Sequence, residues 1–216
     1  EDIAVGIDGE TVLQPIGVFC CVAPFNFPVM VPFWFMPYAV ACGNTYVVKP
    51  SERCPISQTR IFELLHEADF PPGVVNLVHG AKDVVDALLT HPDVAGISFV
   101  GSTPVARYIY ATAAANGKRA QCQAGAKNCL VVMPDAVLER AVSNILSSAF
   151  GTSGQRCLAG ALVLAVGADG ACDLTRIATA HFALHRKGLK RGRKAPPGWP
   201  QYPRSLWRIL CRPYDL

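Results

Sequence analysis

From Ile16 to Val166 the chain alternates short, nearly unbroken apolar runs with stretches of helical period. Ile16 to Ala23, Thr45 to Lys49, Val74 to Val78 and Val94 to Val100 read as strands. Between them, Val29 to Cys42, Ser57 to Ala68, Lys82 to Thr90 and Pro104 to Asn116 read as helices. In Ser57 to Ala68, Ile61, Leu64, Leu65 and Ala68 recur on one face; in Lys82 to Thr90, Val84, Val85, Leu88 and Leu89 do. Gly43-Asn44 is a good helix stop. Leu130 to Met133, Val137 to Phe150 and Ala161 to Val166 add a strand, a helix and a strand. Uniformly apolar strands separated by helices are the mark of an α/β fold, a parallel sheet covered on both faces. Such sheets bind ligands beyond the carboxyl ends of their strands. The turns that follow the strands are therefore where chemistry is expected.

Composition separates two parts. With 51% hydrophobic and 17% charged residues, most of the chain can bury a core. No apolar run approaches the length of a membrane span. The start has no basic region followed by an apolar run, so no secretory signal is expected. It also lacks an initiator Met, so a fragment or processed product is expected. The net charge of +4 is unevenly spread: residues 1–168 carry ten basic and thirteen acidic residues, residues 169–216 ten basic and three acidic. Residues 186–194 (RKGLKRGRK) hold six of those cations, and five prolines follow. This tail is expected to be irregular and disordered. A shift of reading frame near residue 168 explains it better than a new module. The competing reading is a nucleic-acid-binding tail with Trp199, Tyr202 and Trp207 as stacking residues.

Nine cysteines stand at irregular spacing, with no CxxC pair, which argues against a disulfide framework or a metal site. Most are expected to be small buried hydrophobes. Cys157 differs. It follows a helical run in Gly151 to Ala159 (GTSGQRCLA), among small and polar residues, with Arg156 beside it. A neighbouring cation favours the nucleophilic thiolate. Pro24-Phe25-Asn26-Phe27-Pro28 makes a stiff turn whose one polar side chain, Asn26, is either an oxyanion donor or an Asn holding its own turn. Lys49-Pro50-Ser51-Glu52 could hold ribose hydroxyls and an adenosine phosphate, or be a solvated loop opening a helix. Gly101-Ser102-Thr103-Pro104 opens a helix whose first turn suits a pyrophosphate, or is a plain cap. No GxGxxG occurs.

Taken together, PFNFP, KPSE, FVGST, a GAKN loop and GQRC, in that order, closely resemble the aldehyde dehydrogenase superfamily. Within it they resemble the methylmalonate-semialdehyde dehydrogenase branch, which is acylating and coenzyme A-dependent. The resemblance covers about residues 1–168. It implies an NAD-binding domain over 1–122, incomplete at its N-terminal side, and the start of a catalytic domain over 123–168. It implies Cys157 as nucleophile, and Asn26 with the Cys157 backbone N–H as oxyanion donors. Lys49 and Glu52 would hold the adenosine ribose of NAD, Gly101 and Ser102 the pyrophosphate, and Phe25 would line the passage. Arg156 would either favour a carboxylate-bearing substrate or tune Cys157. Gln123 stands where hydrolytic members carry a Glu base, and an amide takes no proton. The acyl group would then await coenzyme A as co-substrate. The family is homo-oligomeric, but its oligomerisation strand and second cofactor-binding Glu are not found in this text. Location would be cytoplasmic in a bacterium and the mitochondrial matrix in a eukaryote.

Overall fold

A hairpin of β1 (Asp2–Ala4) and β2 (Ile7–Asp8) opens the chain. The structure, a computed structural model, describes residues 2–166. The basic segment 169–216 and the reading made of it lie outside these residues. The order continues β3 (Val18–Val22), α1 (Pro32–Ala41), β4 (Thr45–Lys49), α2 (Pro55–Glu67), β5 (Val75–Leu77), α3 (Lys82–Thr90), β6 (Val94–Gly101), α4 (Thr103–Ala115) and β7 (Arg119–Ala124). After these come β8 (Asn128–Val132), α5 (Leu138–Phe150), a 3-10 turn over Gly151–Gly154, and β9 (Gly160–Ala165). The chain separates into a unit ending at Gly125 and a second beginning at Ala126. Among the described residues no helix is long and apolar enough to cross a membrane.

In the first unit, β5-β4-β3-β6-β7 form one parallel sheet. Its two cores follow from the two-residue period of a strand. Cys20 and Val22 face α3 and α4, joining Val85, Leu89, Ile97, Phe99 and Ile109. Cys21 and Ala23 face the other way, joining Val31, Met36, Tyr46 and Val48. Asn44, beyond the helix stop at Gly43, ties two strand entries together: its Oδ1 accepts from the N–H groups of Ile16 (2.8 Å) and Gly17 (3.2 Å). Lys118 is buried and donates to the carbonyls of His91 and Val94, bracing the approach to β7 against the start of β6.

Three expectations are corrected here. The inward face of α2 is Gln58, Phe62 and Leu65, an i, i+4, i+7 stripe, while Leu64 and Ala68 are exposed. Strand β7 had no counterpart in the sequence reading. Its apolar contribution is only Ala120 and Cys122, alternating with Arg119, Gln121 and Gln123, so no apolar run announces it. Of the seven described cysteines only Cys20 and Cys21 are buried; Cys42, Cys129 and Cys157 are exposed.

In the second unit, β8 and β9 pair in parallel, and α5 covers them through Val142 and Ile145 against Val132 and Val163.

Candidate functional site

The strand order β5-β4-β3-β6-β7 puts the reversal of chain direction between β3 and β6, where the chain returns from the edge to start a second half. Ligands of open α/β sheets bind at such a point. The register aligns the three strand ends: Val22 lies opposite both Lys49 and Phe99. The turns bearing Phe25 and Asn26, Lys49 and Glu52, and Gly101 and Ser102 therefore leave from neighbouring strand ends in the order β4, β3, β6.

Each turn has its own cause. Lys49 is the last residue of β4 and is buried, with its Nζ 3.3 Å from Glu52 Oε2. Glu52 is exposed, and its carboxyl lies below the ordinary value, held first by its own backbone N–H and then by Lys49. At Gly101 an added Cβ would stand 2.5 Å from Phe99 Cζ, so backbone alone can occupy this point. Ser102 is the N-cap of α4, with extended backbone, yet its side chain makes no capping hydrogen bond. The first turn of α4 thus keeps its N–H groups for another acceptor.

The turn bearing Asn26 is held from α2 and from the two residues just before that helix. The Arg53 guanidinium lies 5.1 Å from the centre of the Phe25 ring, and Cys54 Sγ donates to the Phe25 carbonyl at 3.5 Å. Gln58, fully buried, donates from Nε2 to the Pro28 carbonyl. Asn26 itself is half-buried. Sequence reasoning did not find Gln58. The available signal was an amide in register with Phe62 and Leu65 on a helix face that is otherwise apolar. Gln123 lies in β7 opposite Val100, and with Trp34, Tyr38, Ser98 and Gln121 it lines an open cavity of about 580 Å³.

In the second unit, the approach to Cys157 is conformationally costly. Thr152 (φ 54°), Ser153 (φ 57°) and Gly154 (φ 72°) are successively left-handed. For the two residues with a Cβ this costs about 1–2 kcal/mol each. Arg156 is exposed and folds back: its Nε donates to Thr152 Oγ1 at 3.1 Å, and its guanidinium fills the space where a Cβ at Gly151 would sit. Cys157 is exposed. Its carbonyl accepts a hydrogen bond from Asn128 Nδ2 at 2.7 Å, and the same nitrogen lies 3.1 Å from the Ala159 carbonyl.

The model of the aldehyde dehydrogenase family matches residues 4–169. The chain belongs to the aldehyde dehydrogenase family. Among curated members it is 55% identical over 175 residues to malonate-semialdehyde dehydrogenase 3 of Geobacillus kaustophilus, a match covering 81% of this chain and 36% of the relative. Among solved structures it resembles methylmalonate-semialdehyde dehydrogenase of Oceanimonas doudoroffii, with 52% identity and a TM-score of 0.77, over 79% of this chain and 35% of that one. It also resembles the NAD+ complex of an aldehyde dehydrogenase from Bacillus cereus, with 32% identity and a TM-score of 0.74, over 78% of this chain and 34% of that one. The chain thus spans about a third of the length of the aldehyde dehydrogenases it matches.

Proposed function

We propose that this chain carries the cofactor-binding part and the nucleophile of an NAD-dependent, coenzyme A-acylating dehydrogenase of malonate or methylmalonate semialdehyde. The observation that supports the cofactor assignment is the meeting of three turns at the neighbouring ends of β4, β3 and β6. The residues there suit NAD. Glu52, an exposed carboxylate anchored by buried Lys49, can accept from ribose hydroxyls, and Lys49 can donate to them. Gly101 lets the backbone approach a pyrophosphate, and Ser102 stands at an uncapped helix start. Phe25 lines the entry. NAD, when bound, supplies the hydride acceptor.

The chain's own residues bind and activate the aldehyde. The Cys157 thiolate adds to the carbonyl carbon, forming a C–S bond and an oxyanion. The family resemblance gives Asn26, in a turn braced by Arg53 and Gln58, and the Cys157 backbone N–H as the donors to that oxyanion. After oxidation the acyl group stays on Cys157 as a thioester. Gln123 cannot take a proton from water, so the acyl group is left for a thiol, coenzyme A, which displaces Cys157 as its thiolate. The semialdehydes bring a carboxylate; the C–C bond to it breaks, carbon dioxide leaves, and the carbon left behind takes up a proton, so that acetyl- or propionyl-coenzyme A is the product. Arg156 is the cation proposed to favour such substrates.

The test is a chimera in which residues 1–166 replace the matching segment of the O. doudoroffii dehydrogenase. Cys157→Ala should remove the NADH burst, and Gln123→Glu should raise turnover without coenzyme A. A burst that survives Cys157→Ala would overturn the nucleophile assignment. No gain in coenzyme A-independent turnover would overturn the missing-base argument.

A further inference from the structure

The GAKN loop ends in a residue that the proposed chemistry does not use. Asn128 opens β8, and its amide reaches across to the turn that presents Cys157. One nitrogen with two protons faces two carbonyl oxygens, that of Cys157 at 2.7 Å and that of Ala159 at 3.1 Å. These acceptors lie 29 and 31 positions from Asn128 in the chain. On its N-terminal side the Cys157 turn is entered through the left-handed residues Thr152 to Gly154. A strained segment persists only where its surroundings over-determine it. On its C-terminal side the turn is closed by the Ala159 N–H donating to the Arg156 carbonyl at 3.1 Å, and held by the Asn128 amide and by the Gly160 N–H, which donates to Ser148 Oγ at 3.0 Å. Of these three, the Asn128 amide is the one that bonds the Cys157 carbonyl itself.

We propose that Asn128 is a positioning residue that fixes the backbone of the nucleophile turn by donating both amide protons to the carbonyls of Cys157 and Ala159. Holding the Cys157 carbonyl fixes the plane of the peptide that leaves Cys157. With the strained entry before it, this sets the direction of the thiol and of the Cys157 N–H. The proposal rests on Cys157 being the nucleophile, but the hold itself can be read without catalysis.

The hold is tested on the 216-residue chain by hydrogen exchange of peptides covering 155–160 in Asn128→Ala and Asn128→Asp. The second variant keeps the size of the side chain and removes both donors. In each, exchange over 155–160 should rise roughly tenfold, with α5 and the middle of β9 unchanged. In the chimera, the same variants should slow the NADH burst roughly tenfold or more, as loss of near-attack geometry does, while affinity for NAD stays within about twofold. Exchange like that of the parent in either variant would overturn the proposal. So would exchange rising equally through β8, α5 and β9, which would make Asn128 a scaffold residue only. So would a local rise with an unchanged burst. If instead Cys157→Ala keeps its burst while exchange over 155–160 still responds to Asn128, the hold is real and the nucleophile assignment is what fails.

Discussion

Gln58 Nε2 donates to the carbonyl oxygen of Pro28, joining the inward face of α2 to the turn that presents Asn26. The bond has a cost on the other side of the same amide. Gln58 Oε1 is buried with no hydrogen-bond partner. A net hydrogen bond is worth about 1 kcal/mol, and a buried unpaired acceptor costs a similar amount or more. Gln58→Met removes both terms and should change stability by no more than about 1 kcal/mol. Gln58→Glu turns a donor into a buried carboxyl facing a carbonyl and should cost about 2–3 kcal/mol at neutral pH. Urea unfolding of the two variants checks the order; equal losses would mean that a carboxyl facing the Pro28 carbonyl costs no more than an apolar side chain there.

Much of this arrangement is legible in the sequence. Thr45–Lys49 and Lys82–Thr90 have the bounds that their patterns give, because strong periodicity and clear stops coincide there. The turns bearing Asn26, Lys49 and Gly101 stand out by their residue types and by following strands, and they leave from neighbouring strand ends; the Cys157 turn stands out by residue type alone, after a helix. What stayed hidden depends on contacts remote in sequence. Gln58 reaches Pro28 across 30 positions, and Asn128 reaches Cys157 across 29. Neither residue type announces such a partner. The inward face of α2 departs from its apolar pattern because Leu64 and Ala68 are apolar but exposed, while the polar Gln58 turns inward. β7 is not announced by its sequence, because Ala120 and Cys122 alternate too weakly with polar neighbours to mark a strand.

The carboxyl of Glu52 lies below its ordinary value of 4.5, held first by its own backbone N–H and then by Lys49. A depressed carboxyl contributes stability that is present above its ordinary range and lost as pH falls through its folded value. The Glu52 side chain is 62% exposed, so solvent screens most of the attraction. The contribution should therefore be only about 0.2–1 kcal/mol. Glu52→Gln should be less stable than the parent by that amount at neutral pH. The two curves should converge as pH is lowered through the carboxylate range. Thermal melts across pH check this, and a difference that grows toward acid would contradict it.

Gly101 is held small by Phe99. A Cβ would stand 2.5 Å from Phe99 Cζ, and Phe99 is packed in the core with Cys20, Val22 and Ile97. Gly101→Ala should destabilise the chain by about 1–3 kcal/mol, the usual range for overpacking. Phe99→Leu shortens the obstructing side chain at the cost of a cavity. If the clash is the cause, the double variant should lose clearly less than the sum of the two single losses. Strict additivity in denaturant unfolding would show that Gly101 is required for another reason.

Cys20 and Cys21 are adjacent yet face opposite cores, and burial pushes both thiols up to about 12. At pH 8 only about one thiol in ten thousand of each is then ionised, and the thiolate is the reactive form. Neither side chain is open to solvent. Cys42, Cys129 and Cys157 are exposed. Brief treatment of the folded chain with iodoacetamide at pH 8, followed by peptide mass mapping, should label these three and leave Cys20 and Cys21 unmodified until denaturant is added. Cys122, half-buried and raised by burial, should be slower than the exposed three. Labelling of Cys20 or Cys21 at the pace of Cys157 in the folded chain would mean that the sheet opens on the timescale of the reaction, against the packing of both cores.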